Sequence, residues 1–559
     1  MPAESLGVYY NADGSNVNLV ATTEDDAKDD AAAAAANPPV EDNGVAHHVF
    51  RPGGIVDALG SRFRRRNFEA DGAFEEQQPD GVSIQLLRSC TDWSHGVSTE
   101  RSIANAYIST IRDSEHFVYI ENQFFITATG EGNHPVKNLI GAAIVERIIR
   151  AHNDGQKYKI IVCMPSVPAF AGDLHAESSA GTLAIMNFQY RSISRGGHSI
   201  IEELQTAGIQ DPLQYISFFN LRNYDRINTS AAMANTEQAS GVSYEDARRE
   251  HDDQVGAGYD GQGEESAAAN NQEAPAYDAY QQSAADETTS RGSSYDSVAQ
   301  CYMLDGPPLS SIPWTNGSQE EIDAFVSEEL YIHTKCLIAD DRIVIVGSAN
   351  LNDRSQLGYH DSEIAVLIED STPVESSMNG APYTAAKFAV ALRRTLFRKH
   401  LGLIPMQDWR VPNQNYLPVD QGGNEYDWDS APDQAVRDPL SDEFTSLWNG
   451  TASRNTEIFQ RVFAPVPSNA VRNWEQYEEA YAKLFISPDP PGTEQPRPSK
   501  YAYGHVVREN FPGGVGEMKE VLGGVRGSLV TMPLDFLCEV QDLVKEGLNY
   551  NAVTDDIYT

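Results

Sequence analysis

The residues best suited to chemistry lie within 331–369, YIHTKCLIADDRIVIVGSANLNDRSQLGYHDSEIAVLIE. Strand periodicity over 331–339 places His333, Lys335 and Leu337 on one face. Asp340 and Asp341 supply a turn, and 343–346 (IVIV) returns as the partner strand. That strand runs into Gly347-Ser348-Ala349-Asn350, small and polar residues that let a backbone approach an anion closely. A third strand over 364–368 follows Asp361-Ser362-Glu363. Ionisable groups beside a buried sheet are costly to keep there, and a chemical task explains them. Lys335 with Ser348 and Asn350 suits the non-bridging oxygens of a phosphate. His333 suits attack on phosphorus, or proton transfer to a leaving oxygen, near neutral pH. Glu363 is placed to bond the far ring nitrogen, with Asp361 as its rival. Asp340 sits where a turn favours Asp, so a structural role competes with a chemical one. Cys336 points away from His333 into core, and His360 reads as a loop histidine. No carboxylate cluster or HExxH offers a metal cage, so metal-free phosphodiester chemistry is the natural reading.

The elements that must hold these groups alternate in type. Strands are expected at 83–87, 117–120, 158–165 and 215–219, with helices at 98–114 and 138–152 between them. This order predicts an α/β fold whose sheet is covered on both faces. Glu121-Asn122-Gln123 ends one strand and by itself reads as a capped, solvated strand end. Shorter helices are expected at 443–448 and 474–484, a strand at 529–532, and loop over 410–434.

Composition bounds the partners. The 559 residues carry 41 Lys+Arg against 81 Asp+Glu, a net −40 that repels nucleic acid over most of the surface. Residues 229–300 hold 14 acidic and 3 basic residues, net −11, with almost no aliphatic side chains, and read as a disordered insertion. Residues 1–45, with an alanine run at 31–36, also read as disordered. One basic cluster, 62–66 (RFRRR), reads as a solvated charge run, with acidic lipid heads as the functional rival. Five scattered cysteines without a CxxC pair suit a reducing compartment, and neither a signal peptide nor an apolar run long enough to span a membrane is read. The expectation is a soluble, cytoplasmic chain.

The pattern His333-x-Lys335-x4-Asp340, six residues, then Gly347-Ser348-x-Asn350 resembles the HKD signature of the phospholipase D superfamily. The string 347–366, GSANLNDRSQLGYHDSEIAV, is similar to the eukaryotic phosphatidylcholine-hydrolysing enzymes, the filamentous-fungal kind most of all. Further stretches agree: VSIQLLRSCTDW (82–93), VYIENQFF (118–125), AIMNFQYR (184–191), DPLSDEFTSLWNGTASRNT (438–456) and VRGSLVTMPLDFL (525–537). The resemblance covers about 82–559 and implies a phospholipase D-like sandwich lobe, a mixed sheet between helical layers. Its parts would be a mostly disordered segment (1–81), the lobe's first part (82–228), an acidic insertion (229–323), the HKD part (324–405) and a C-terminal extension (406–559).

The resemblance also implies roles. His333, Lys335, Asp340 and Glu363 would form the catalytic set, Lys335, Ser348 and Asn350 would hold the phosphate, and Glu121, Asn122, Gln123 and Asp361 would line the pocket. It implies hydrolysis of phosphatidylcholine to phosphatidate and choline at a membrane surface, with peripheral membrane association, no cofactor for the chemistry, and phosphoinositide as an activator. Enzymes of this family pair two HKD motifs, one histidine attacking phosphorus and the other serving as acid and base. Among 13 histidines only His333 has a lysine two residues on, so the chain resembles the second-motif half, completed by a first lobe or a homodimer partner. The rival functions are a homodimeric single-motif phosphodiesterase or nuclease, and a catalytically incomplete lipid-binding half-enzyme. The family's short hydrophobic C-terminal motif resembles 555–559, whose terminal carboxylate is expected to pack near the lobe.

Overall fold

Alternating aliphatic and aromatic residues in the strands fill two apolar layers, one on each face of a single mixed sheet. The computed structural model describes residues 6–10, 17–21, 81–130, 135–168, 174–175, 179–226, most of 231–250, 275–291, 317–404, 428–484, 505–507, 510–541 and 543. The sheet's ten principal strands, beside short ones at Glu100–Arg101, His505–Val506 and Leu529–Thr531, are β1 (Leu6–Tyr10), β2 (Val17–Ala21), β3 (Val82–Cys90), β4 (Phe117–Asn122), β5 (Lys159–Cys163), β6 (Ile216–Arg226), β7 (Phe325–Glu329), β8 (Lys335–Ala339), β9 (Ile343–Gly347) and β10 (Glu363–Asp370). They pair in the order β7-β6-β5-β4-β8-β9-β10-β3-β1-β2. Pairs β4/β5 and β5/β6 are parallel, while β4/β8, β8/β9, β9/β10 and β10/β3 are antiparallel.

On one face, Val118, Ile120, Ile160, Val162, Leu337 and Ala339 meet Ile103, Tyr107 and Ile111 of α1 (Ser102–Asp113) and Ile140, Ile144 and Ile148 of α2 (Ile140–Asn153). The opposite face sets Phe117, Tyr119, Ile161, Cys336 and Ile338 against Phe397 and against Phe444 and Trp448. Phe397 belongs to the helix Lys387–His400, and Phe444 and Trp448 to Asp442–Phe463. Each large side chain so buried contributes roughly 2 kcal/mol, offset by ordering entropy. This is the α/β sandwich expected.

Several elements differ from the sequence reading. The helix expected at 443–448 runs the full Asp442–Phe463, because Ser441 caps its start and the apolar stripe continues through Phe459 and Phe463. Helix Lys387–His400 and the hairpin Pro373–Met378/Ala381–Ala386 were not foreseen. Within the segments read as disordered, β1 pairs with β2 and β3, and helices Ala231–Ser240 and Pro275–Arg291 pack together, with Tyr244 and Tyr280 edge to face. The basic cluster 62–66 and the C-terminal 555–559 lie outside the described residues.

Arg226 ends β6 directly opposite Phe325 of β7, so a short linker can span what lies between them. Replacing residues 229–300 by a Gly/Ser linker is therefore expected to leave the thermal midpoint within a few degrees. A lost melting transition would show that the helix pair belongs to the core.

Candidate active site

The antiparallel register of β4 and β8 sets Glu121 opposite Cys336 and Asn122 opposite Lys335. The carboxyl ends of parallel β4 and β5 therefore meet the start of β8 at one sheet edge, where open α/β sheets commonly bind ligands. Strand β8 begins at Lys335, four residues later than periodicity predicts. His333 thus sits in the exposed approach to the strand rather than on its ladder.

Lys335 is buried, and its ammonium donates to Gln123 Oε1 at 2.9 Å and to the His333 carbonyl at 2.7 Å. An ammonium has three donors, so one is left for an incoming anion. Burial lowers its pKa, and the Glu363 charge opposes that fall. The His333 ring stacks on Tyr331, with centroids 6.3 Å apart and planes 25° from parallel. Among the described residues, neither His333 ring nitrogen has a hydrogen-bond partner.

The other candidates divide sharply. Glu363 accepts a short hydrogen bond from the Ser348 hydroxyl, so this carboxylate holds a hydroxyl at the rim instead of the histidine. Ser348 is exposed there and also receives the Ile364 N–H at 3.1 Å. Asn350 Oδ1 is buried without a partner among the described residues, while its carbonyl accepts from Gln356 Nε2 at 2.9 Å. Asp361 is engaged bidentately by Arg354 at 2.6 and 3.0 Å, which removes it as a partner for His333. Gly347 serves the sheet rather than an anion: a Cβ there would lie 2.4 Å from the Ile364 carbonyl and 2.5 Å from Ala365 Cα.

Asp340 stands at the far end of β8. Its carboxylate accepts the backbone N–H groups of Glu115, His116 and Phe117 at 2.6, 2.7 and 2.9 Å. Five residues of strand separate it from Lys335, about 16 Å. It fastens the hairpin turn to the start of β4 and does not reach the pocket.

Of the three strand-end residues, only Gln123 touches the pocket. Asn122 Oδ1 receives Leu351 N–H at 3.0 Å and Phe124 N–H at 3.2 Å, tying the loop after β9 to β4. Glu121 points to the opposite face. There Tyr119 Oη donates to it at 2.6 Å and His400 Nε2 lies 3.1 Å away. Burial opposes its charge, but the contacts from His400, Tyr119 and Thr334 outweigh burial and lower its pKa from 4.5 to about 2. A depressed carboxylate pKa stabilises the fold above the unfolded value, and that stability is lost as pH falls through the folded one. Urea denaturation is therefore expected to show a loss on the order of 3 kcal/mol between about pH 4.5 and 2. Glu121→Gln should flatten that slope.

Two groups escaped the sequence reading. Tyr331 Oη donates to the Pro168 carbonyl at 2.7 Å and receives Gln123 Nε2 at 2.6 Å. Its place two and four residues before His333 and Lys335 was the available signal. Half-buried Glu329 accepts the Ser166 hydroxyl at 3.0 Å and the Val167 N–H at 3.2 Å, pinning the loop after β5. Nothing in the sequence joined 329 to 166. Among the described residues, no three His, Cys, Asp or Glu side chains converge on a metal position.

Comparison with known proteins bears on this geometry. The family model described as Phospholipase D matches residues 66–254 and 313–415, together just over half the chain, and the break falls in the acidic segment. Phospholipase D1 of Cricetulus griseus is 30% identical over 487 residues, 86% of this chain and 33% of that protein. Phospholipase D1 of Schizosaccharomyces pombe is 32% identical over 339 residues, 60% of this chain and 18% of its own. The chain spans about a third or less of the length of these relatives. A solved phosphatidylserine synthase of Haemophilus influenzae aligns at 10% identity with a TM-score of 0.23, covering 52% of this chain and 36% of that one. The family match takes in every residue of the signature from His333 to Asn350, and the chain belongs to the phospholipase D family.

Proposed function

We propose that this chain is the His333-bearing lobe of a phospholipase D-type phosphodiesterase that converts phosphatidylcholine to phosphatidate and choline without a metal. The observation that supports it most is the Lys335 ammonium, held by two neutral acceptors, one of them the His333 carbonyl, with its third N–H and both His333 ring nitrogens lacking a partner among the described residues. A spare charged donor suits a non-bridging phosphate oxygen, and a free imidazole suits proton transfer.

In this reading a histidine from a first lobe, or from a second copy, attacks phosphorus. As the P–N bond forms and the P–O bond to choline breaks, His333 gives its proton to the departing oxygen. His333 then takes a proton from water, whose oxygen forms the new P–O bond while the P–N bond breaks. Lys335 balances the charge on the phosphoryl oxygens, with the Asn350 amide as a further donor, while the Ser348 hydroxyl keeps its proton on Glu363. Residues 82–228 and 324–405 form the lobe, 229–323 is an insertion, and 406–559 an extension packed on it. The net charge of −40 favours a zwitterionic over an anionic surface. Peripheral attachment is the corresponding mode, since no helix among the described residues is long and apolar enough to cross a membrane.

Binding of orthovanadate to the purified chain tests the site. Lys335→Met is expected to weaken that binding about tenfold or more, the value of a charge-assisted hydrogen bond. Equal binding by wild type and variant would overturn the phosphate assignment.

A further inference from the structure

Tyr331 is linked to both groups that the proposed reaction needs, to His333 directly and to Lys335 through Gln123. Its hydroxyl gives its proton to the Pro168 carbonyl at 2.7 Å and accepts from Gln123 Nε2 at 2.6 Å. The same amide turns its oxygen to the Lys335 ammonium at 2.9 Å. An amide that donates at one end must present its oxygen at the other. The chain Lys335→Gln123→Tyr331→Pro168 therefore runs in one direction. Reversing the amide would set two donors against each other at Lys335, a costly clash at a buried ammonium. The Tyr331 ring also stacks on the His333 imidazole, restricting the ring of a histidine that has no ring hydrogen bond among the described residues to orient it.

We infer that Tyr331 is the positioning residue of this site: its hydroxyl sets the Gln123 amide, and through it the Lys335 ammonium, while its ring sets the His333 imidazole. This rests on the phosphodiesterase reading for its purpose, but the geometry can be tested without any ligand. Burial raises the Tyr331 phenol further above its ordinary value, so the hydroxyl keeps its proton throughout the neutral range. Of the charged groups near Lys335, Glu363 acts on it through space, and none of the proposed substitutions removes it.

The test uses the full chain with nitrogen-15 at lysine and histidine, following the Lys335 ammonium and His333 ring resonances through a pH titration. Tyr331→Phe frees the amide but keeps the ring. It is expected to lower the Lys335 midpoint by about one pH unit, the value of one hydrogen bond to a charged group, and to leave the His333 ring resonances in place. Tyr331→Leu is expected to shift both. Gln123→Leu must reproduce the Lys335 shift by cutting the same chain, and adding Tyr331→Phe to it must move Lys335 no further. Additive shifts in the double variant, or an unmoved Lys335 in Tyr331→Phe, would overturn the relay. Should Tyr331→Phe fail to fold, an unmoved Lys335 in Gln123→Leu overturns it equally. Orthovanadate binding by the wild type is measured in parallel. Its absence would sink the phosphodiesterase reading, while the ligand-free titrations would still decide the relay.

Discussion

Mixed with a first-lobe fragment of a phospholipase D, this chain is expected to release choline from phosphatidylcholine vesicles, and His333→Ala to abolish that release. The loss should be about a hundred- to ten-thousandfold, the range for removing a general acid and base. In the proposed mechanism both steps route a proton through the same imidazole, and the two nearest carboxylates are engaged elsewhere: Glu363 is held by Ser348 and Asp361 by Arg354. The chain by itself should stay near background, because in-line displacement needs a nucleophile on the face of phosphorus opposite the leaving oxygen. Cys336→Ala serves as control. That thiol is buried on the other face of β8, beside Ile338 and Tyr119, and burial pushes its pKa up so that it stays protonated. Its loss should leave choline release intact. Full activity of the isolated chain would show that one histidine suffices. Activity rising with the square of concentration would instead favour two copies sharing a site.

The hairpin that carries the signature was legible because each of its features is local. IVIV returning after two aspartates fixes a turn, and both Asp340 and Asp341 indeed take positive φ, 53° and 52°. Likewise, the covered sheet followed from alternating apolar runs that no exposed strand would carry. The partners of the site's side chains were far less legible, since each lies across the sheet or across the chain. Gln123 reaches Lys335 over 212 residues and Glu329 reaches Ser166 over 163. Glu363 reads from the sequence as the partner for His333 and Asp361 as its rival, yet Ser348 holds the first and Arg354, seven residues from Asp361, holds the second. Spacing also misplaced His333: it extended the strand four residues too far, because Tyr331 and His333 alternate like a ladder while their backbone pairs with no neighbouring strand. The sequence pattern therefore marks the candidate site, and the tertiary contacts show what each carboxylate is bonded to.

Asp340 is where those contacts reverse a role, and its substitution should have the largest effect on stability. Asp340→Ala is expected to cost about 3 to 5 kcal/mol in urea denaturation, because three N–H donors at 115–117, one buried and two half-buried, lose their acceptor together. Alanine must also hold a φ of 53°, which adds roughly 1 kcal/mol. Asp340→Gly removes the carboxylate without that conformational term. Near-equal losses for the two variants would assign the cost to the hydrogen bonds, whereas a stable glycine variant would assign it to the backbone. The neighbouring residue makes the turn still less tolerant: Asp341 and Arg393 form a fully buried pair at 2.6 Å that joins the hairpin to the helix covering it. The same measurement separates structure from chemistry. Folded Asp340→Ala should bind orthovanadate as the wild type does, because Lys335 is about 16 Å away along the strand. Unchanged stability with lost vanadate binding would place Asp340 in the pocket after all. The expected pattern, lost stability with retained binding, makes the third residue of the signature the fastening of the strand on whose other end the first two act.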